Sequence, residues 1–94
     1  MQTYFLFGKY SAESIKDASA DRTEKAVKLI ADLGGKVKSM YALLGNFDLV
    51  FIAEFANAKS AMKASVGLSV LTGISFSTHA AVSVDDFDKM LGDV

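Results

Sequence analysis

MYALLGNFDLVFIAEF, residues 40–55, decides the fold of this chain: two strand-forming runs flank a Gly-Asn pair, and nearly every side chain in both is apolar. A two-residue Gly-Asn turn between such runs signals a β-hairpin. With Gly45-Asn46 as that turn, Leu44 pairs with Phe47 and the register follows. One face then carries Met40, Ala42, Leu44, Phe47, Leu49, Phe51, Ala53 and Phe55, with Lys36 and Lys38 at its far end. The other carries Val37, Ser39, Tyr41, Leu43, Asp48, Val50, Ile52 and Glu54. A longer turn would shift that register. A hairpin on a small soluble domain is normally apolar on one face and polar on the other. Here the second face is half apolar as well, and something has to cover it.

Outward from the hairpin, the chain reads as two β-α-β halves. TYFLFGKY (residues 3–10) is aromatic and β-prone, a first strand. Ser11 caps a short turn of helix through Ile15, and Ser19 is the N-cap of a main helix running to Leu33. In that helix Ala26, Val27, Leu29, Ile30 and Leu33 recur at helical spacing opposite Lys25, Lys28 and Asp32. Gly34-Gly35 ends it. Lys36–Leu44 and Phe47–Phe55 form the hairpin strands. Asn57 caps a second helix through Leu71, with Ala61, Met62, Ser65 and Leu68 on one side, and Gly73 stops it. Ile74–Val84 alternates as a fourth strand. Ser83 with Asp86 resembles a capping box for a short last helix carrying Phe87, Met90 and Leu91.

This order predicts an α+β, ferredoxin-like split βαβ fold: a four-stranded antiparallel sheet with both helices on one face. The 94 residues fit one domain, residues 1–94. A chain of this size buries only about 60–65% of its unfolded surface. Yet 51% of its residues are hydrophobic, more oil than a small monomer hides. Large exposed apolar patches mark interfaces, so the second sheet face is expected to meet a second copy in a sheet-to-sheet homodimer, or a higher oligomer built from such dimers.

Charge and residue inventory exclude several classes. The net charge is −1, from ten basic and eleven acidic side chains, and Arg22 is the sole arginine. Nucleic-acid sites favour basic excess and bidentate arginine, so no nucleic-acid partner is expected. Cys is absent and His79 is the single histidine, which removes disulfides, thiolate chemistry and a closed four-ligand zinc site. No metal or cofactor is expected. The glycines make neither G-x-G-x-x-G nor G-x-x-x-x-G-K-[ST] spacing. No apolar run approaches the roughly 18–20 residues of a membrane span, and the start lacks a signal-peptide pattern. A soluble cytoplasmic protein without membrane contact is the expectation.

YFLFGKYSAESI, LGGKVKSMY, LLGNFDLVFIAEF and SVDDFDKML together resemble the GYD domain family, over essentially the whole chain. The most specific piece is L-G-x-[YF]-D-h-V at Leu44–Val50, after G-G-K-[VL]; Phe47 stands where the family usually has tyrosine. The resemblance implies kinship with the dimeric α/β barrels, in which two ferredoxin-like sheets face each other. It implies no settled activity.

The residues that carry chemistry are few. On the fourth strand His79 shares a side with Ser75, Ser77, Ala81 and Ser83, while Ile74, Phe76, Thr78, Ala80 and Val82 turn to the helices. His79 would then look into the space between subunits as a general base; the plainer role is a hydrogen bond across the dimer or to solvent. Tyr41 and Glu54 share the mixed hairpin face, and with His79 they form the catalytic candidates for a cofactor-free monooxygenase or isomerase. Tyr4, Tyr10 and Ser77 are the ligand-binding candidates around them. Asp48 is expected to accept backbone N–H bonds at the hairpin. Lys9, Lys36 and Lys38 are read as solvated strand ends. With so thin a polar inventory, the leading reading is a small oligomer that binds a small molecule or serves a structural or regulatory role. A cofactor-free enzyme with its site between facing sheets is the alternative.

Overall fold

The computed structural model describes residues 1–92; the last two of the predicted domain lie outside that range. The elements run β1 (Gln2–Lys9), α1 (Ala12–Lys16), α2 (Ala20–Asp32), β2 (Lys36–Ala42), β3 (Leu49–Phe55), α3 (Ala58–Thr72), β4 (Ser75–Ala81) and α4 (Val84–Leu91). The sheet order is β2-β3-β1-β4, every pair antiparallel. This is the ferredoxin-like α+β arrangement that the split βαβ pattern predicts. Among the described residues no helix is long and apolar enough to cross a membrane.

Each helix starts where a short polar side chain can take an otherwise orphaned backbone N–H. Ser11 accepts from the Ser14 amide, Ser19 from Arg22, Asn57 from Ser60 and Ser83 from Asp86. Ser14 returns the bond to the Ser11 amide, so α1 carries a capping box. At the far end of α3, Gly73 takes the left-handed conformation with φ 73°, which stops the helix without Cβ strain.

The core lies between one sheet face and helices α2 and α3. Ala26 and Ile30 from α2 and Ala61, Ala64 and Leu68 from α3 pack on Tyr4, Leu6, Leu49, Phe51, Ala53, Phe55 and Ile74. Phe55, Leu6, Ile30 and Leu68 are fully buried, each worth about 1.5–3 kcal/mol of transfer free energy. Gly8 sits at a tight point of this layer. A Cβ there would lie 2.9 Å from Leu49 Cγ and 3.0 Å from Ile74 Cγ2. Met62 is an exception to the expected α3 stripe: it is 67% exposed. Apolar residues surround this helix, so its spacing alone left the buried side ambiguous between the 61–64–68 row and the outward Met62–Val66 row.

The hairpin differs from expectation in turn length. The Leu43 N–H donates to the Asp48 carbonyl at 2.8 Å, closing a turn over residues 44–47 instead of a two-residue one. Lengthening by one residue on each side leaves the opposed pairs unchanged, so Tyr41 still faces Val50 and Ala42 faces Leu49. The expected faces therefore hold through the upper strand. They fail at both ends. A register shift between Val37 and Ser39 sends Val37 to the helix side, where it packs on the core. It also puts Lys36 opposite Glu54. At the turn, Leu44 is fully solvent-exposed, and the Phe47 ring packs on Phe7, 5.1 Å between centroids.

Candidate functional site

Because α2 and α3 cover one side of the sheet, the opposite side is left open, and the strand pairings order it into rows. Tyr41, Val50, Phe7 and Ser77 form one row across the four strands. Ser39, Ile52, Phe5 and His79 form the next, followed by Lys36, Glu54, Thr3 and Ala81. Alternation along β1 sets this pattern: Tyr4, Leu6 and Gly8 point to the helices, so Phe5 and Phe7 point away.

Phe7 is the hub of the open face. Its ring lies 6.1 Å from Phe5, 5.1 Å from Phe47 and 5.7 Å from the His79 ring, the last in an edge-on arrangement at 76°. Such aromatic pairs add about 0.5–1.5 kcal/mol beyond area burial. His79 Nε2 and Ser77 Oγ are 2.9 Å apart, which fixes the imidazole against the ring cluster at the β4 edge.

The three catalytic candidates occupy different places on this face. Tyr41 is on edge strand β2 and His79 on edge strand β4, with β3 and β1 between them. Three strand spacings of about 4.8 Å separate them by roughly 14 Å. Glu54 lies two rows from Tyr41 and opposite Thr3. Within one chain, His79 and Ser77 meet, and Tyr41 and Glu54 do not join them. Among the described residues no group of three His, Cys, Asp or Glu side chains could hold a metal ion.

Two ligand-binding candidates belong elsewhere. Tyr4 is buried on the helix side, its ring 5.8 Å from Phe55 and its hydroxyl donating to Gln2 Oε1 at 2.6 Å. Tyr10 follows the end of β1 and packs on the same core. The continuous run of aromatic and aliphatic residues in TYFLFGKY hides the strand's alternation, and the tight contact at Gly8 resolves it. Asp48 does accept a backbone N–H, but from Tyr10 at 2.8 Å, tying the hairpin turn to β1. Lys9 strengthens the same tie by donating to the Asn46 carbonyl at 3.0 Å. The residues that sequence reasoning missed are Phe5, Phe7 and Phe47, and nothing short of the register would have found them.

The fold and this open sheet face define a ferredoxin-like α+β domain. The GYD domain matches residues 3–91, nearly the whole chain, and the chain belongs to the GYD domain family. No curated protein sequence matches it. Solved structures share the architecture at low identity. The leucine response regulatory protein LrpA of Mycobacterium tuberculosis superposes with a TM-score of 0.63 at 13% identity, over 87% of this chain and 51% of LrpA. This chain thus spans about half the length of that relative. FFRP-DM1 gives a TM-score of 0.62 at 21% identity, covering 87% of this chain and 100% of that one. A hypothetical protein from Pyrococcus horikoshii gives 0.57 at 24% identity, over 88% and 92%. These likenesses establish the fold.

Proposed function

We propose that the chain works as a homodimer in which two open sheet faces close on each other, as in a dimeric α/β barrel. The space between the sheets would hold a small, largely apolar molecule. The observation that carries this reading is the strip of half-buried Phe5, Phe7 and Ile52 with exposed Tyr41, on the face opposite the helices and around the already buried Val50. Burying such a strip is favourable at about 25 cal/mol per Å2 of apolar surface, and facing sheets pack about 10 Å apart. A two-fold axis through the face makes the contact self-complementary. Ser77 and His79 supply a polar handle at the margin of the strip.

Binding in a structural or regulatory oligomer fits this geometry better than catalysis. One His and no Cys leave few reactive groups, and Tyr41, Glu54 and His79 stand on three different strands. A cofactor-free enzyme would need the partner's strands to bring the three groups together. Regulators such as LrpA share the fold, and a regulatory role accords with that likeness.

Native mass spectrometry of the whole chain from gentle buffer tests the proposal. The expected result is an even-numbered oligomer carrying a constant extra mass lost on denaturation. A monomer at micromolar concentration with no added mass would overturn it.

A further inference from the structure

On the opposite side of the sheet from the proposed dimer face, the first turns of α2 and the end of α3 stand over the upper ends of β2 and β4. They leave a cleft of about 190 Å3. An apolar cavity of about 150 Å3 admits benzene, so there is room for a ring and a small head group. The floor is apolar, made by Leu49, Phe51, Ile74 and Phe76, with the Phe51 and Phe76 rings 5.8 Å apart. Arg22, the chain's sole arginine, reaches the cleft from the first turn of α2.

The state of that guanidinium points to an anion. Arg22 is half-buried. Its Nη1 donates to the Ser14 carbonyl, and its carbon lies 5.8 Å from the centre of the Tyr10 ring. Among the described residues the ion pairs join Lys25 to Asp21, Lys28 to Asp32 and Lys89 to Asp85, and no carboxylate pairs with Arg22. A guanidinium has five N–H donors in a fixed fork suited to a carboxylate, so most of its capacity faces no protein acceptor. The Thr23 and Thr72 hydroxyls beside the cleft already donate to the Ser19 and Leu68 carbonyls. Arg22 is therefore the group placed to meet a ligand's head.

We propose that this cleft binds a small carboxylate with a flat or branched apolar body, the carboxylate on Arg22 and the body over Leu49, Phe51 and Phe76. The lining residues all come from one chain, with Tyr41 of the open-face strip at the cleft's margin. One charge-assisted pair of hydrogen bonds then separates an acid from its neutral amide.

The test is a backbone-amide NMR titration of the full chain with phenylacetate, benzoate and isovalerate, using phenylacetamide as the uncharged control. The expected result is saturable shifts at Thr23, Ala26 and Ala42 for at least one acid, with phenylacetamide at least about 10-fold weaker than phenylacetate. Arg22→Gln should abolish that difference, and Arg22→Lys should keep part of it. Ala42→Leu, which fills the cleft from an exposed strand position and leaves the guanidinium's charge in place, should weaken acid and amide alike. Equal binding of acid and amide would overturn the proposal. So would shifts centred on Phe5, Val50 and His79, or no saturable shift with any of the acids.

Discussion

The Asp48 carboxylate accepts the Tyr10 amide at 2.8 Å while the Asp48 amide donates to the Gly8 carbonyl at 2.8 Å. One residue thus fastens the hairpin turn to the end of β1 from both its side chain and its backbone. Hydrogen bonds to a charged group contribute about 1.5–3 kcal/mol, less where solvent reaches them. Asp48→Ala should destabilise the fold by about 1–2 kcal/mol, read as a lower urea midpoint at unchanged slope. An unchanged midpoint would show that the turn holds without the clasp.

Gly34 and Gly35 are adjacent but serve different physical needs. Gly34 has φ +78° with open space around it, whereas a Cβ on Gly35 would sit 2.5 Å from Phe55 Cε1 and 2.9 Å from Ile30 Cγ2. Gly34→Ala should cost only the backbone term, about 1–2 kcal/mol. Gly35→Ala overpacks the fully buried Phe55 and should cost about 1–3 kcal/mol. Near-ultraviolet circular dichroism separates them: only the Gly35 variant should change the aromatic signal.

The start of α3 depends on one amide side chain. Asn57 Oδ1 accepts the Ser60 N–H at 3.0 Å. Asn57→Ala should lose about 1 kcal/mol of stability, a drop in Tm of about 4–8 °C for a domain of this size. Asn57→Asp should recover most of it, since a carboxylate also suits a helix N-terminus.

Much of this architecture was legible because local chemistry carries it. Ser11, Ser19, Asn57 and Ser83 each cap the helix expected of them, and Gly73 ends α3. The hairpin faces survived a misjudged turn length because parity was preserved. Val37 did not survive the shift before Ser39, as no residue there signals an irregularity. Tyr4 falls on the helix side against expectation because every residue of YFLF is apolar or aromatic, so alternation leaves no mark. The Arg22 cleft was invisible for a different reason. It is assembled from α2, both edge strands and the end of α3, and only tertiary packing brings those segments together.

Ile52 stands at the middle of the open face, between Ser39 and Phe5, and a charge there should be incompatible with a second sheet laid upon it. Sedimentation equilibrium of the wild-type chain and of Ile52→Lys, at tens of micromolar and with far-ultraviolet circular dichroism as the check on folding, tests the central claim most directly. A wild-type dimer and a folded Ile52→Lys monomer is the predicted result. A wild-type monomer, or a variant that dimerises as tightly as the wild type, would contradict it.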